Sequence, residues 1–338
     1  MKTLQAVVLV GFVSVQSFAA TNESSFTPTS VKTPIRGIYL KDSASDSQAA
    51  KLYECAGNTE ADCLVDVADN TALAALFDSQ SAAINVGTYD TIQVSTCKEE
   101  GSYNIRVKGS MTLGGVSYYT ALTTIASGAD GTTSSTDPLT TIEANNDYAT
   151  VRHSGCAKEY TLPVKVTVAK GDSVKINLFM AMKNIAFARL SNNAIPGGCV
   201  QNGAGTTSVC VSYPEVVPYV GTVSPTLETY HITRSQADLL GVNADGQILL
   251  ILDSLDNTLG GFSRRLYSST SSGGGQGYDT PLRSFSKNTD GTTYTVENYG
   301  SSATTSYLKF PTFERATHNG TFTNVSDSTT VNYRAVKQ

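Results

Sequence analysis

Short segments in which hydrophobic and polar residues alternate with a period of two dominate the chain. In residues 164–168, three valines alternate with Lys165 and Thr167, which places the valines on one face of a strand. Residues 169–173, of sequence AKGDS, favour a turn, and the alternation resumes over residues 174–182. This pattern predicts a β-hairpin with one buried face.

Further alternating segments are separated by turns rich in glycine, asparagine and aspartate, and Gly114-Gly115 is the clearest signal of a tight hairpin. The other strand candidates are residues 36–40, 90–96, 103–108, 116–121, 148–153, 185–190, 216–223, 227–232, 247–252, 292–297, 306–310, 320–324 and 329–335. Only residues 71–77 and 235–241 favour helices, and both are too short to connect parallel strands. The chain is therefore predicted to be mostly β, with few short helices and antiparallel β-sandwich domains.

The chain begins MKTLQAVVLVGFVSVQSFAA, which has the organisation of a secretory signal peptide. Lys2 supplies a positive charge, residues 6–15 form an apolar segment, and Ser17 and Ala19 are the small residues that a signal peptidase reads. We expect cleavage after Ala19, with a retained anchor as the alternative. Because the apolar segment is shorter than the roughly 20 residues that span a bilayer, we expect an exported chain without a transmembrane segment.

Six cysteines follow this segment, and an even number in an oxidising compartment predicts a disulfide framework. Several connectivities are open to six cysteines. We favour two local pairs and one longer one: Cys55–Cys63, Cys199–Cys210 and Cys97–Cys156. A zinc site is the weaker interpretation, because the chain has three histidines and no C-x-x-C pair.

The number and distribution of charged residues indicate which classes of partner the chain can bind. Only 16% of the residues are charged, against roughly 25% in a typical soluble domain. Lys and Arg number 24 and Asp and Glu 29, which gives a formal net charge of −5. Since the basic residues form no block along the chain, no nucleic-acid partner is expected.

Two stretches resemble a known family. Residues 84–94, INVGTYDTIQV, lead through G-x-Y into a strand, and residues 162–178 contain the turn Lys170-Gly171-Asp172. Both are similar to bacterial exported domains of unknown function with a prealbumin-like (transthyretin-like) β-sandwich. The resemblance covers residues 34–190 and implies that sandwich there, with an immunoglobulin-like sandwich as the alternative. Many members are lipoproteins, whereas this chain has no lipid-bearing cysteine, and the resemblance carries over no catalytic residue.

These signals predict a domain organisation in four parts. Residues 1–19 are the signal peptide, and residues 20–33, rich in Ser, Thr and Pro, form an extended leader. Residues 34–190 form the prealbumin-like β-sandwich domain, and residues 191–338 form a second β-rich domain.

Motifs for nucleophilic catalysis or nucleotide binding are missing from the sequence, including the G-x-S-x-G elbow and the P-loop. Acidic residues near predicted turns are candidates for calcium binding, and their ordinary interpretation is that of turn formers. These candidates form two groups, Asp253, Asp256 and Asn257 in one, and Asp62, Asp66 and Asp69 in the other. Asp253 and Asp256 are the candidate carboxylates for the alternative of a hydrolase site, although one such pair near a strand end is too common to support it.

Tyrosine is the main aromatic residue, with 17 tyrosines and no tryptophan. Tyr118 and Tyr119 are candidate binding residues, and neighbours on a strand point to opposite faces. The alternative is that such tyrosines cover the core. Arg264 and Arg265 form the one adjacent Arg pair, which either binds an anion or marks a surface strand end.

The sequence therefore favours a non-catalytic exported protein that acts at the bacterial cell surface or in the periplasm, in adhesion or ligand binding. An envelope component or a glycan is the expected partner, and calcium is the one cofactor considered. The missing tryptophan weakens the case for a flat sugar-binding platform. An extracellular hydrolase with a loop carboxylate site is the alternative function.

Overall fold

The computed structural model describes residues 23–69, 86–97, 101–124, 132–169, 176–180, 182–190, 198–211, 216–220, 226–232, 246–252, 258–265, 279–290, 293–299, 307–314, 319–324, 330–334 and 336–337. These residues form strands and two short 3-10 turns, at Ala61–Cys63 and Glu143–Asn145. The prediction of a mostly β chain is confirmed. Among them, none belongs to a helix with the length and hydrophobicity that a membrane crossing requires. The two predicted helices, residues 71–77 and 235–241, lie outside the described residues.

The strands are numbered in chain order. The first eighteen are β1 (Glu23–Phe26), β2 (Ser30–Pro34), β3 (Gly37–Asp42), β4 (Ser45–Glu54), β5 (Leu64–Asp66), β6 (Gly87–Ser95), β7 (Ser102–Lys108), β8 (Ser110–Leu113), β9 (Val116–Thr120), β10 (Thr132–Ser134), β11 (Leu139–Thr140), β12 (Ala149–Ser154), β13 (Ala157–Val168), β14 (Ile176–Met180), β15 (Ala186–Arg189), β16 (Cys199–Asn202), β17 (Ser208–Val211) and β18 (Val216–Val220). The remaining strands are β19 (Thr226–Ile232), β20 (Gly246–Leu252), β21 (Thr258–Arg265), β22 (Asp279–Lys287), β23 (Thr293–Tyr299), β24 (Tyr307–Glu314), β25 (Asn319–Asn324), β26 (Thr330–Arg334) and β27 (Val336–Lys337).

Two antiparallel four-stranded sheets share the main hydrophobic core. The β2 sheet has the strand order β12-β7-β2-β5, and the β3 sheet has the order β13-β6-β3-β4. Alternate side chains point inward from each sheet, and Val31, Ile105, Ile38 and Leu40 are at most 2% exposed. These inward side chains belong to one cluster, so the two sheets pack as a β-sandwich, which is the predicted architecture.

The stretch predicted as an extended leader takes part in the sheets. β1 is the edge strand of a five-stranded sheet of order β1-β15-β17-β16-β10, and Phe26 at its end is 4% exposed. β2 lies between β5 and β7. The five-stranded sheet joins strands from both sides of residue 191, where the sequence predicts a domain boundary.

A tight turn at Gly114-Gly115 connects β8 to β9, as predicted. Leu113 pairs with Val116 across the turn, and the two glycines have φ angles of 56° and 81°. A two-residue turn with positive φ at both central positions matches the twist of the flanking strands. These two strands and β11 form a three-stranded sheet.

The predicted hairpin over residues 164–182 is wrong in its pairing. The alternation is present, because Val166 and Val168 are buried whereas Lys165 and Thr167 are exposed. However, β13 pairs with β6 and β14 pairs with β18, so the two strands belong to different sheets. A strand that buries one face can do so beside several partners, and the pattern alone does not select the partner.

The strands β19 to β27 form a single sheet in which each strand pairs with the next along the chain from β19 to β26. β26 and β27 are consecutive in the chain, yet they lie at opposite ends of the strand order, where β27 pairs with β19. A hydrogen bond of 3.0 Å from Lys183 Nζ to Thr229 Oγ1 connects this sheet to the preceding part of the chain.

All six cysteines form disulfides, and no described cysteine is free. The pairs are those favoured from the sequence: Cys55–Cys63, Cys97–Cys156 and Cys199–Cys210. Cys199 and Cys210 are directly opposite each other in β16 and β17. Three disulfides indicate that the chain folds in an oxidising compartment.

Candidate functional site

The outer face of the β2 sheet gathers four cationic side chains. On β7, Tyr103, Ile105 and Val107 point into the core, so that Arg106 and Lys108 lie on the outer face. Strand pairing adds Lys32 from β2 and Arg152 from β12 to the same face. These four residues are spread over more than a hundred positions of the sequence, and only the folded sheet brings them together.

The strand register arranges these cations in rows. Lys32 is directly opposite Arg106, and Lys108 is directly opposite Ser30. On the other side of β7, Asn104 is opposite Arg152. The two directly opposed like charges, Lys32 and Arg106, repel each other, an arrangement that destabilises a sheet.

None of the four cations has an ion-pair partner within 4.0 Å in the part of the chain that the structure describes. Part of the β3 sheet provides a contrast, because two of its lysines have glutamate partners. There Lys41 Nζ lies 2.5 Å from a carboxylate oxygen of Glu159, and Lys51 Nζ lies 2.5 Å from one of Glu54. Lys41 and Lys51 thus differ from the four cations of the β2 sheet, which have no such partner among the described residues.

Asp66 is directly opposite Lys32 in the register, but the two side chains form no ion pair within 4.0 Å. Its Oδ2 accepts a short hydrogen bond from the Ser30 hydroxyl, and its Oδ1 accepts bonds of 3.1 Å from the backbone N–H groups of Val31 and Ala68. Oδ2 thus binds the sheet alone, whereas Oδ1 connects the sheet to the loop after β5.

At the edge of the same face, the Glu60 carboxylate is also hydrogen-bonded to neutral donors. Its carboxylate accepts hydrogen bonds from the backbone N–H of Asn104, at 3.2 Å, and from the Asn104 side chain, at 3.4 Å. The carboxylates of Asp66 and Glu60 therefore accept hydrogen bonds from hydroxyl, backbone and amide donors, and form no ion pair with the four cations.

Tyr148, which directly precedes β12, lies among these cations. Its hydroxyl is 2.9 Å from Ser30 Oγ on β2. Because the Ser30 hydroxyl proton is donated to Asp66, the tyrosine donates to Ser30. The ring lies 4.7 Å from Lys32 Nζ and 5.8 Å from Lys108 Nζ, measured to its centroid, within the range of cation–π attraction.

We call the set of Lys32, Arg106, Lys108, Arg152 and Tyr148 the basic tyrosine face. Arg106 is exposed, and the other four side chains are half-buried. Arg152 is held by a 2.5 Å hydrogen bond from its Nε to the Ser102 hydroxyl. The face combines fixed positive charge with an aromatic ring whose position is set by a hydrogen bond, a combination suited to binding an anion that also has an apolar surface.

Ser30 also contacts a tyrosine and lies near a lysine, a set of groups that serves nucleophilic catalysis in some enzymes. Here Ser30 is 9% exposed, and its hydroxyl hydrogen is committed to Asp66. The geometry therefore holds Tyr148 in place and does not present a free nucleophile.

The tyrosines predicted from the sequence have different surroundings. Tyr118 is opposite Met111 and packs against the main core, which is the structural interpretation considered for it. Tyr119 is opposite Ser110 and Thr140, on the other face of the three-stranded sheet. The two therefore point to opposite faces, and neither has a basic neighbour in its cross-strand register.

Arg264 and Arg265 are the last two residues of β21. Arg264 pairs in register with Gln247 and Asp279, and Arg265 pairs with Gly246. They thus lie at a strand end. Asp253, Asp256 and Asn257, the first group of calcium candidates, lie outside the described residues.

The second acidic group supports turns. Thr59 N donates to Asp62 Oδ2 at 2.9 Å, and Asp62 N donates to the Thr59 hydroxyl at 3.3 Å. The backbone and side-chain hydrogen bonds from Thr59 hold the pKa of Asp62 below its usual value. Within the described ranges, no three His, Cys, Asp or Glu side chains are grouped so that they could hold a metal ion.

Sequence reasoning missed the basic tyrosine face, although part of its signal is visible. Residues 103–108 and 148–153 are predicted strands, and the alternation in the first of them places Arg106 and Lys108 on one face. What the sequence does not show is that β2 pairs with β7, which adds Lys32 to that face and brings Ser30 to Tyr148.

The fold and this face define a disulfide-bonded, largely antiparallel β protein, in which four cations without an ion pair among the described residues surround one tyrosine. Comparison of the chain with protein-family models, with curated proteins and with solved structures finds no match. The site itself is therefore the guide to function.

Proposed function

We propose that the chain is a non-catalytic exported protein of the bacterial cell surface or periplasm that acts in adhesion or ligand binding. In this proposal the basic tyrosine face holds the ligand, and the ligand is anionic. The signal peptide predicted from the sequence and the three disulfides support export.

One observation carries the binding proposal. Lys32 and Arg106 are opposed across two strands without a carboxylate partner, while Asp66, in register with Lys32, binds backbone donors instead. Opposed like charges destabilise a sheet, and folding alone gives no reason to keep them. A bound anion removes this repulsion, so the arrangement is accounted for by a ligand.

The prealbumin-like assignment of residues 34–190 belongs to the same proposal. Two four-stranded antiparallel sheets around one core support it. The hairpin over residues 162–178, which contributed to the resemblance, does not, because β13 and β14 lie in different sheets. A sandwich of this kind presents its binding residues on a sheet face or on its loops, and here the charge is on a sheet face.

The test compares two double variants with the same change in net charge. The purified chain is applied to carboxylate-bearing and neutral beads at low salt, as wild type, as Lys32→Gln with Lys108→Gln, and as Lys41→Gln with Lys51→Gln. We expect retention on the carboxylate beads for the wild type and for the second variant, and a loss for the first. Equal retention of the two variants would contradict the proposed face.

A further inference from the structure

We propose that the Cys55–Cys63 disulfide is a site of thiol–disulfide exchange that a dithiol opens, and that Arg36 is the residue that makes this bond reactive. The site is independent of the ligand-binding role proposed for the basic tyrosine face. The groups that contact the two sulfur atoms carry the proposal, together with the difference in exposure between the disulfides.

The guanidinium group of Arg36 contacts the sulfur of Cys63. Its Nη1 donates to Cys63 Sγ at 3.1 Å and to the Gly57 carbonyl oxygen at 2.9 Å, and its Nη2 donates to the Asn58 carbonyl oxygen at 3.4 Å. A sulfur that leaves a disulfide does so as a thiolate, and a neighbouring arginine lowers the pKa of such a thiol. Cys63 is therefore the favoured leaving group of this bond, because the thiol of lower pKa leaves faster.

The backbone places Arg36, which lies between β2 and β3, beside both cysteines. Ile35 N donates to the Cys63 carbonyl oxygen at 2.9 Å, and Cys55 N donates to the Arg36 carbonyl oxygen at 2.9 Å. These hydrogen bonds do not involve the sulfur atoms, so opening the disulfide leaves the backbone anchors of Arg36 in place.

The carboxylate of Asp62, which directly precedes Cys63, is bound elsewhere. Its Oδ2 accepts a hydrogen bond of 2.9 Å from Thr59 N, and it forms no ion pair with Arg36 within 4.0 Å. The hydrogen bonds from Thr59 are the main reason that the pKa of Asp62 is lowered, and attraction to Arg36 adds a smaller effect. Among the described residues, the guanidinium thus contacts a sulfur and two carbonyl oxygens, and no carboxylate.

The two sulfurs of this bond belong to residues of different exposure. Cys63 is 1% exposed, whereas Cys55 is half-buried. An attacking thiolate therefore has better access to Cys55, which leaves Cys63 as the leaving sulfur. Gly57 N donates to Cys55 Sγ at 3.4 Å, so a backbone N–H is in place for the thiolate that Cys55 becomes in the second step.

The exchange balances with a dithiol as the reductant. One thiolate of the dithiol bonds to Cys55 Sγ, the sulfur–sulfur bond breaks, and Cys63 leaves as a thiolate beside Arg36. The second thiol of the dithiol loses its proton and displaces Cys55 from the mixed disulfide. The dithiol ends as a disulfide, its two electrons reduce the cysteine pair, and its two protons pass through solvent to the two cysteine thiolates.

The other two disulfides have different surroundings. Both residues of Cys199–Cys210 are at most 2% exposed, so a thiolate has little access to either sulfur. Both residues of Cys97–Cys156 are half-buried, and a neutral hydroxyl, Thr96 Oγ1, lies 3.9 Å from the sulfur of the first. Exposure thus disfavours Cys199–Cys210, and the contact from Arg36 favours Cys55–Cys63 over Cys97–Cys156.

The test follows the opening of each disulfide in the folded chain by dithiothreitol. Samples are quenched with excess N-ethylmaleimide and digested, and mass spectrometry of the peptides gives the reduced fraction of each pair over time. We expect Cys55–Cys63 to open at least about tenfold faster than Cys97–Cys156, and Cys199–Cys210 to open last. Earlier opening of either other pair would overturn the proposal.

Arg36→Gln tests the role of the guanidinium group. We expect it to slow the opening of Cys55–Cys63 about tenfold, and Arg36→Lys, which keeps the positive charge, to slow it by no more than about threefold. The matched variant Lys51→Gln removes a positive charge from the exposed face of the neighbouring β4, and we expect it to leave the rate unchanged. A variant that merely unfolds exposes all three disulfides and speeds their opening, so the predicted slowing cannot arise from loss of the fold. An unchanged rate in Arg36→Gln would overturn the role of Arg36.

Glutathione, a monothiol, tests which sulfur is attacked. After the same quench, we expect glutathione to be attached to Cys55 and N-ethylmaleimide to Cys63. The reverse placement, or equal amounts of the two products, would contradict Cys63 as the leaving group.

Discussion

Asp90 is a half-buried carboxylate that stabilises a turn. Its two oxygens accept hydrogen bonds from the backbone N–H of Ser43, at 2.8 Å, and from the Ser43 hydroxyl, at 2.6 Å. Lys165 Nζ lies 3.5 Å away. The hydroxyl bond, followed by the backbone bond, lowers the pKa of Asp90 to about 2.

This shift predicts a pH dependence. Because the pKa of Asp90 is lower in the folded chain than the roughly 3.9 of an unfolded one, its stabilising effect is present above about pH 5 and is lost as the pH falls toward 2. Asp90→Asn is therefore expected to lower the urea midpoint at pH 7 and to differ little from wild type near pH 2. Urea unfolding of both proteins across this range measures the difference.

Ser43→Ala is the matched variant, since it removes the hydroxyl donor and keeps the backbone donor. We expect it to reproduce part of the same pH dependence. If the difference in urea midpoint between wild type and Asp90→Asn stays constant from pH 7 to pH 2, Asp90 does not act through its charge.

Gly198 combines two constraints at one position. Its φ angle is +77°, and a Cβ atom there would lie 2.8 Å from Cε1 of the buried His153 and 3.1 Å from the Val211 carbonyl oxygen. Gly115 has a similar φ of +81°, but a Cβ atom there would have no other atom within 4 Å. Comparing the two glycines separates backbone strain from crowding.

Gly115→Ala is expected to cost about 1–2 kcal/mol, from the left-handed backbone alone. Gly198→Ala is expected to lower the free energy of unfolding by about 1–3 kcal/mol more than Gly115→Ala does, because the His153 ring or the β17 backbone must move. Urea unfolding gives both free energies. Equal values for the two variants would mean that the interior around His153 accommodates a methyl group freely.

At the scale of elements, the sequence predicts strands better than it predicts their partners. The turn at Gly114-Gly115 brings β8 and β9 together because both glycines supply positive φ. The stretch after β13 also favours a turn in sequence, yet β13 and β14 pair with strands from elsewhere in the chain. Pairing over long sequence separation depends on the whole core, which a local pattern does not contain.

The disulfides permit a prediction at this scale. Cys55–Cys63 closes a separation of 8 residues and Cys97–Cys156 one of 59. Since the entropy removed from the unfolded chain grows with loop length, replacing both cysteines of a pair by alanine should cost about 2.5 kcal/mol for the first and about 4 kcal/mol for the second. Urea unfolding without reductant measures both values.

The order of the two values is the critical result. The other disulfides stay intact in each variant. If removing Cys55–Cys63 lowers the free energy of unfolding more than removing Cys97–Cys156 does, contacts around Cys63 outweigh loop closure. One such contact is that from Arg36 Nη1 to the Cys63 sulfur, at 3.1 Å.

At the scale of the whole molecule, basic residues that are far apart in the sequence lie together on one face of a sheet. The absence of a basic block in the sequence remains true, yet β2, β7 and β12 place Lys32, Arg106, Lys108 and Arg152 on one face. Strand alternation predicts which residues of each strand share a face. The order of the strands decides which faces merge, and it follows from the packing of the sandwich.

The contrast between the two sheets of the sandwich is central to the functional account. Lys41 and Lys51 of the β3 sheet have glutamate partners, whereas the cations of the β2 sheet have none within the described residues. A protein that used surface charge only for solubility has no reason to treat its two faces differently. The proposed ligand-binding role of the basic tyrosine face rests on this asymmetry.

The most direct measurement is a map of backbone amide shifts by nuclear magnetic resonance as citrate, a small tricarboxylate, is added. We predict shifts that cluster at residues 30–32, 104–108 and 148–152, with Tyr148 among the largest, and little change on the β3 sheet around Lys41 and Lys51. Shifts that cluster on the β3 sheet, or no saturable shifts at all, would contradict a ligand-binding role for the basic tyrosine face.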